Sequence, residues 1–268
     1  MTNGAGTPSR EEHRAYFDGQ LASNREFWRR FGRMPAVAGR RVFDFGCGHG
    51  ALSVELARAG ADVYGVDIDT ERIVFARDNL RERYPDVADR VRFDAAPIAH
   101  VQPDQSFDLA VSKDTFEHVS EIGAVARDLY RLLKPGGELW AGFSPLYWSP
   151  TGDHRRTGLP PILHAVLPRA VVLSAAGRCH GHPVRSLDDI GLNGMTPSEF
   201  RAQMRAAGFR FVSVAYNQGD KRLLRLMDRL RRIPRLERFA TVSVYAILAR
   251  PTPTGAHHGL RDSRTGEA

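Results

Sequence analysis

Two acids and three glycines between residues 41 and 67 have a spacing that could hold a ligand. Gly46, Gly48 and Gly50 lack the side chains that would keep the backbone away from a bound molecule. The helix predicted after them presents unpaired amide hydrogens at its N-terminus. Asp67 lies 21 residues beyond Gly46 at the end of the next apolar run, where a carboxylate can accept both ribose hydroxyls of a nucleoside. The spacing therefore predicts a nucleoside-containing cofactor across the ends of parallel strands.

Asp44, two residues before Gly46, indicates which cofactor this is. A dinucleotide motif is Gly-x-Gly-x-x-Gly and places a pyrophosphate at the start of the helix. This chain instead has Gly-x-Gly-x-Gly, with Cys47 between the first two glycines. A carboxylate at Asp44 would repel a pyrophosphate but attract the ammonium of an amino-acid moiety. S-adenosyl-L-methionine has such an ammonium and no phosphate, so we expect this cofactor. An NAD(P)-dependent oxidoreductase is the remote alternative.

Four further segments follow in a recognisable order: residues 91–95 (Val-Arg-Phe-Asp-Ala), 106–112, 114–119 (Asp-Thr-Phe-Glu-His-Val) and 132–139. With the glycine motif, they resemble the class I S-adenosylmethionine-dependent methyltransferases over residues 41 to 143. Residues 114–119 are similar to the segment found in ubiquinone-type members. The resemblance implies an α/β, Rossmann-like fold. Its seven-stranded sheet would be mostly parallel with an antiparallel final strand, helices on both faces and a small inserted cap.

The resemblance also implies roles for single residues. Asp67 would bind the ribose, Ile68 would lie beside the adenine ring, and Asp94 with Ala95 would lie near the adenine amino group. Lys113 departs from the family pattern, which usually has a neutral or acidic residue there, so its contact stays open. The expected cofactor-binding residues are Asp44, Gly46, Cys47, Gly48, Gly50, Asp67, Ile68, Asp94, Ala95 and Lys113.

Asp153 and His154 are the candidates for catalysis that follow the predicted fifth strand. A hydroxyl acceptor benefits from losing its proton as the new bond forms, and a histidine can take that proton. We expect His154 to be the base, with the Asp153 carboxylate able to orient its imidazole. His118, after the fourth strand, is the second candidate. Alignment of the reactants without a base is a third explanation.

The acceptor is expected to be a small molecule that is methylated on oxygen, with nitrogen, carbon, and quinone or lipid acceptors at a membrane as alternatives. Tyr147 and Trp148 in the cap would suit a planar acceptor, unless this segment is a structural cap or a dimer contact. We expect no metal, because Cys179, His180 and His182 lack a second ligand pair. Oligomeric state stays open.

The chain is expected to divide into five parts. These are an N-terminal helical lid (1–33), the cofactor-binding core (34–143), a substrate cap (144–195), the end of the core with a basic helix inserted at 220–238 (196–250), and a disordered tail (251–268). Of the 268 residues, 42% are hydrophobic, which is enough for a substantial core. Only two cysteines occur and residues 1–9 are polar, so we expect a cytoplasmic protein.

The formal net charge of +7 is concentrated in residues 220–238, where eight basic residues face three acids and leave +5. Leu223, Met227 and Leu230 share one predicted helix face, and arginines at 222, 225, 229 and 232 form a stripe beside it. A helix packed by its leucines with a solvated arginine face is the simplest explanation. Attraction to an acidic substrate and contact with an anionic membrane are the others. Nucleic acid is not expected as a partner, because the stripe has no interleaved aromatic residues.

Overall fold

The computed structural model describes residues 8–219 and 222–252, and its centre is one seven-stranded sheet. The strands are β1 (Arg41–Phe45), β2 (Asp62–Asp67), β3 (Val91–Ala95), β4 (Phe107–Lys113), β5 (Leu133–Phe143), β6 (Arg210–Tyr216) and β7 (Val244–Ala249). Their order across the sheet is β3-β2-β1-β4-β5-β7-β6, and β7 is antiparallel to both of its neighbours. The predicted fold class is confirmed. The carboxyl ends of β1, β2, β4 and β5 therefore meet at one edge of the sheet.

Nine helices are described in those two ranges: α1 (Arg10–Phe31), α2 (Ala51–Arg58), α3 (Thr70–Arg83), α4 (Ile122–Leu132), α5 (Leu163–Val166), α6 (Arg169–His180), α7 (Pro197–Ala206), α8 (Arg222–Leu230) and α9 (Glu237–Ala240). Short 3₁₀ turns occupy Pro85–Arg90, Ile98–His100, Phe116–His118 and Asp188–Ile190. In the part of the chain that the structure describes, no helix is both long and apolar enough to cross a bilayer.

The apolar runs of the central strands are buried on both faces of the sheet, as expected of parallel strands covered by helices. On one face, α1, α2 and α3 contribute Phe17, Leu56 and Ile73 to the core. On the other face, α4 and α7 contribute Leu129 and Phe200. Both faces of the sheet are therefore covered by helices.

Capping chemistry sets the ends of two helices. Thr196 begins α7 with a capping box, since its hydroxyl accepts from the Glu199 amide at 3.2 Å and the Glu199 carboxylate accepts from the Thr196 amide at 2.8 Å. Four successive residues of the sequence therefore specify where α7 begins. Ser9 and Glu12 form the same motif at the start of α1.

One predicted element near the end of the chain needs correction. The segment 220–238 is not one helix, because α8 ends at Leu230 and Pro234, which lacks an amide hydrogen, lies before the short α9. The last strand begins at Val244. The Val242 and Ser243 amides donate to Asn217 Oδ1 at 2.7 and 3.3 Å instead of joining a strand ladder. Residues 1–7, 220–221 and 253–268 lie outside the described residues, and with them all of the predicted tail except Pro251 and Thr252.

The predicted cap segment contains α5 and α6 and has a small apolar cluster of its own. The buried members of that cluster are Tyr147, Ala176, Val184, Leu187, Ile190 and Leu192. The division of the chain at 144 and 195 stays a prediction.

Candidate active site

The glycine loop after β1 is shaped by close packing at two of its three glycines. Gly46 has φ +73°, and a Cβ there would collide with the Thr115 side chain after β4. Gly50 has φ +83°, and a Cβ there would collide with the ring of Phe93 on β3. Gly48 differs, because the space around its missing Cβ is open. Gly46 and Gly50 thus serve the turn itself, whereas Gly48 leaves room for a ligand.

Asp67 is oriented at the end of β2 by two backbone donors. Its Oδ2 accepts from the Gly48 amide at 3.0 Å and its Oδ1 accepts from the Asp69 amide at 2.9 Å. A carboxylate has about four acceptor positions, so two remain for ribose hydroxyls. The next residue, Ile68, is 80% exposed, which leaves an apolar surface for a flat ring beside the carboxylate.

Asp44 borders a cleft that Gly46, Gly48 and Lys113 also line, and its side chain is almost completely buried. Ser53 Oγ donates to its Oδ2 at 2.6 Å. Burial raises the pKa of Asp44 to about 7, and the nearby Asp67 charge acts in the same direction. A cationic ligand group beside Asp44 would favour the ionised carboxylate, so the site fits an ammonium and does not fit a phosphate.

Cys47 also borders this cleft, but it packs against β2. A Cβ at Gly65 would come within 3.0 Å of Cys47 Sγ, which shows how closely the thiol approaches that strand. Burial raises the pKa of the Cys47 thiol well above its usual value, so it stays protonated and apolar in character. Its side chain fills space beneath the loop.

Asp94 has three protein donors around its carboxylate. Tyr64 Oη donates at 2.7 Å, Arg77 Nη2 at 2.8 Å and Arg92 Nη2 at 2.7 Å. These contacts hold the carboxylate against β2 and α3, so the contact with an adenine amino group stays a prediction. Ala95, at the exposed end of β3 beside Asp67, is the more accessible member of the pair.

Lys113, whose contact the sequence left open, connects β4 to the N-terminal helix. Its Nζ donates to Gln20 O at 3.2 Å, Ser23 Oγ at 2.6 Å and Asn24 Oδ1 at 2.8 Å, all on α1. Burial lowers the pKa of Lys113. Lys113, at a position where the family usually has a neutral or acidic residue, therefore hydrogen-bonds to the helix that covers the cleft.

Helix α1 forms one wall of the cofactor cleft, whose empty volume of about 540 Å³ opens to solvent. Tyr16, Gln20 and Asn24 of α1 line it opposite the glycine loop, and Asn24 Nδ2 donates to Ala51 O at 3.3 Å. Helix α1 therefore covers one side of the cleft, and its role as a lid stays a prediction. The sequence signal for it was the apolar stripe of α1, which did not reveal these polar contacts.

His118 and His154 lie next to each other, with ring centroids 5.1 Å apart. His118 Nδ1 is 2.6 Å from Gly191 O, and His154 Nε2 is 3.1 Å from Pro145 O. Since a carbonyl only accepts, these nitrogens carry the protons and the other nitrogen of each ring is a bare acceptor. Burial lowers the pKa of both histidines. Both rings are therefore neutral near pH 7 and able to accept a proton.

The prediction that Asp153 orients His154 is wrong. Asp153 is buried, and its Oδ2 accepts from Thr157 Oγ1 at 2.5 Å. The imidazole on its other side is that of His164, whose Nδ1 lies 3.9 Å from Asp153 Oδ1. Successive side chains in an irregular turn diverge, and His154 has φ +52°. Asp153 holds the cap together rather than directing the candidate base.

The two cap aromatics also differ from expectation. Tyr147 is buried in the cap, where its Oη donates to His164 O at 3.1 Å. Trp148 Nε1 donates to Gly194 O at 2.7 Å, and its ring lies beneath Arg238 at 4.8 Å from the guanidinium carbon. Both side chains are engaged in packing the cap, so they do not form the predicted wall for a planar acceptor.

Two acids at the start of the segment 114–119 were not among the expected site residues. Asp114 lines the cleft with φ +50°, and burial raises its pKa. Glu117 is 3% exposed, and neither carboxylate oxygen has a hydrogen-bond partner among the residues that the structure describes. Burial, reinforced by Asp114, raises the pKa of Glu117 well above its usual value. The available signal was that Asp114 and Glu117 are three residues apart and that Glu117 directly precedes His118. Among the residues with a described position, no group of three or more His, Cys, Asp or Glu could hold a metal ion.

A tyrosine and a lysine four residues apart, as some nicotinamide enzymes use, do occur at Tyr130 and Lys134. Lys134 Nζ donates to Asp108 Oδ1 at 2.6 Å, and Tyr130 packs edge-on against Phe209. Both side chains are engaged away from the cleft that Asp44 borders. They give no support to the oxidoreductase alternative.

Residues 43–141 match the family model described as a methyltransferase domain. With the sheet order and the cleft just described, this match shows that the chain contains a methyltransferase domain. The chain is 36% identical over 117 residues to a ubiquinone biosynthesis O-methyltransferase of Bordetella avium (strain 197N), which covers 43% of this chain and 46% of that protein. It is 34% identical over 147 residues to the 27-O-demethylrifamycin SV methyltransferase of Amycolatopsis mediterranei (strain S699), covering 52% and 53%.

The chain thus spans about half the length of the curated relatives that it matches. Among solved structures, an S-adenosylmethionine-dependent methyltransferase from Mesorhizobium loti superimposes with a TM-score of 0.57. The alignment covers 86% of this chain and all of that one at 20% identity, so it supports the fold alone.

Proposed function

We propose that the protein transfers a methyl group from S-adenosyl-L-methionine to an oxygen atom of a small molecule. The observation that carries this proposal is the pair of neutral histidines, His118 and His154, each with one bare ring nitrogen. A hydroxyl must lose its proton during methylation, and a neutral histidine can accept that proton. The names of both curated relatives also specify oxygen as the methylated atom.

The cofactor would occupy the cleft between α1 and the glycine loop. Asp67 would accept from the ribose hydroxyls, Ile68 would contact the adenine ring, and Asp44 would attract the ammonium. When bound, the cofactor supplies an activated methyl group on a sulfonium, so most of the catalysis can come from alignment of the acceptor.

The proton of the acceptor would pass to one of the two histidines. His154 is the leading candidate because it belongs to the cap, and His118 is the alternative because it closely follows the cleft residue Asp114. Hydrogen bonds to backbone carbonyls fix the tautomer of both rings, so a bare nitrogen is available without rearrangement. Asp153 has no direct role in this proposal.

The acceptor would bind between the carboxyl ends of β4 and β5 and the segment 144–195, a usual position for substrates in open α/β sheets. A small molecule is favoured over a nucleic acid, since the arginine-rich segment has no aromatic residues for stacking on bases. N- and C-methylation remain the second choice. Location in the cytoplasm stays a prediction, and oligomeric state is left open.

The test is an assay with methyl-labelled S-adenosylmethionine and a panel of phenols, alcohols, amines and activated carbon acids. Methyl ether formation with at least one hydroxyl acceptor supports the proposal. Labelling only of amines or carbon acids would refute the choice of oxygen. A melting temperature that rises with NAD(P) but not with S-adenosylhomocysteine would refute the methyltransferase activity itself.

A further inference from the structure

Large apolar side chains are exposed in a cluster within α8 and the turn that follows it. Leu223 is 62% exposed, Leu226 51%, Ile233 50% and Leu236 37%. Of the α8 side chains, Met227 is the buried one. The prediction that Leu223 packs this helix onto the core is therefore wrong. The protein presents these side chains to solvent, and a concentration of this kind usually marks a binding surface.

Unpaired arginines lie beside these apolar side chains. At about 100° per residue, Leu223, Leu226 and Leu230 form one strip of α8, and Arg222, Arg225 and Arg229 form an adjoining strip. The arginine strip lies opposite Met227, and the leucine strip lies between the two. Arg231 and Arg232 pair with Asp228, whereas Arg222, Arg225 and Arg229 make no ion pair within the described ranges. Arginine and leucine are thus displayed side by side on one face.

The segment is attached firmly to the body of the protein. Arg231 stacks on Tyr216 at 3.7 Å from the ring centroid, and Arg201 forms a two-pronged ion pair with Glu237 at 2.8 and 3.1 Å. Arg238 lies over Trp148 of the cap. The exposed face is therefore held in place by contacts on its other side, and it adjoins the cap.

We propose that this surface docks on an anionic lipid bilayer. The surface, called here the α8 face, comprises Leu223, Leu226, Ile233 and Leu236 with Arg222, Arg225, Arg229, Arg232 and Arg235. An amphipathic helix binds a membrane interface by burying apolar side chains among the acyl chains while its cations contact the headgroups. Each arginine near an anionic surface contributes roughly fivefold to affinity.

Charge complementarity selects this occupant over two others. A second copy of the chain would bring five arginines against five, so self-association through the α8 face is opposed. A nucleic acid would satisfy the arginines but offers nothing to the four exposed apolar side chains. A bilayer with anionic lipids supplies both kinds of contact in one plane. The inference does not depend on the proposed function.

The test is co-sedimentation of the full chain with large vesicles at about 0.1 M salt. Vesicles of phosphatidylcholine with about 30% phosphatidylglycerol should bind the protein, and vesicles of phosphatidylcholine alone should not. Raising the salt to about 0.5 M should weaken binding, because the headgroup attraction is screened. Equal affinity for both vesicles, or no binding to either, would overturn the proposal.

Two double variants separate the contribution of the arginine charges from that of the leucine side chains. Arg225→Gln/Arg229→Gln should lower vesicle affinity by at least tenfold, and Leu223→Gln/Leu226→Gln should lower it comparably without changing net charge. Arg25→Gln/Arg127→Gln removes the same charge from exposed positions on α1 and α4 and should retain most of the affinity. All four arginines and both leucines are exposed, so melting temperatures should stay close to that of the parent.

Three outcomes would count against the bilayer. If the control variant loses as much affinity as Arg225→Gln/Arg229→Gln, binding reflects overall charge alone. If the leucine variant binds like the parent, no apolar insertion occurs. If the protein binds duplex DNA or tRNA through these arginines but binds no vesicles, the α8 face is a nucleic-acid surface.

Discussion

His13 on α1 and His49 in the glycine loop directly link this helix to the loop, with His13 Nδ1 2.7 Å from His49 Nε2. His13 Nε2 lies 3.2 Å from Glu71 Oε1, so this nitrogen carries a proton and donates to the carboxylate. In the neutral pair, His13 Nδ1 then accepts from His49 Nε2. The lid helix is thus joined by one hydrogen-bond chain to the loop and to α3.

We predict that acid loosens the lid. Burial, helped by His13 and Arg72, lowers the pKa of His49 to about 4 from an ordinary value near 6.5. Because the docked histidine stays neutral while a free one takes up a proton, its stabilising contribution is lost as pH falls from about 6.5 towards 4. Amide hydrogen exchange in residues 10–20, corrected for intrinsic rates, should be faster at pH 5 than at pH 7.

The control for this prediction is His49→Gln, which cannot be protonated. Exchange in its lid should change much less with pH over this range. The Glu82 carboxylate that binds Arg10 and Arg14 stays ionised here, since its hydrogen bond with Arg10 lowers its pKa. Equal protection of residues 10–20 in the parent at pH 5 and pH 7 would rule out the histidine link as the cause.

Cofactor affinity should rise with pH through neutrality because of Asp44. The folded protein holds the proton on this carboxyl up to about pH 7, and only the ionised form attracts an ammonium. If only that form binds, the affinity for S-adenosylhomocysteine should improve by up to about tenfold between pH 6 and pH 8. Calorimetric titration measures this, and Asp44→Asn should bind more weakly with a flatter pH profile. Unchanged affinity in Asp44→Asn would remove the argument against a phosphate-bearing ligand.

Replacement of Asp67 by alanine should lower cofactor affinity at least tenfold. The change removes two hydrogen bonds to a charged acceptor, each worth roughly 1.5–3 kcal/mol. It also frees the Gly48 amide, so the melting temperature of the ligand-free protein must be measured beside the affinity. A loss of less than tenfold would show that Asp67 does not bind the ribose.

His154→Ala should lower turnover at least tenfold while leaving the affinity for S-adenosylhomocysteine nearly unchanged, as expected of a group used in the transition state. Since burial lowers the pKa of His154, the base stays neutral below pH 6.5, and the parent rate should fall only under that value. A variant that keeps full activity from pH 6 to pH 9 would exclude His154. The same measurements on His118→Ala would then show whether His118 is the base or whether alignment of the reactants accounts for catalysis without a base.

Lys113→Met should destabilise the closed lid. It removes the donor of three hydrogen bonds to α1 and leaves Asn24 Oδ1 without its cation, a loss of about 1–3 kcal/mol. We expect a lower melting temperature and faster release of S-adenosylhomocysteine, with the other contacts of the glycine loop intact. Lys113→Arg, which keeps the charge, is the matched control. An unchanged release rate in Lys113→Met would show that Lys113 does not hold the lid closed.

Local spacing was sufficient to predict the cofactor half of the protein. Residues 41–67 place a strand, a glycine turn, a helix and a second strand in direct succession, so the relation of Asp44, Gly48 and Asp67 depends on a short piece of chain. The order of the segments after it matched a known sheet. The capping box at Thr196 was equally predictable, because all of its atoms come from four successive residues.

Only the tertiary structure decided which side chains from distant parts of the chain meet. His118 and His154 are 36 residues apart, and Lys113 is far along the chain from its partner Asn24. Asp153 precedes His154 directly, yet its carboxylate binds Thr157. Residue periodicity specifies side-chain direction in strands and helices, but in turns the direction follows from packing and backbone torsions. The sequence therefore determined the cofactor-binding core, and the folding of the cap and lid determined the arrangement of groups above it.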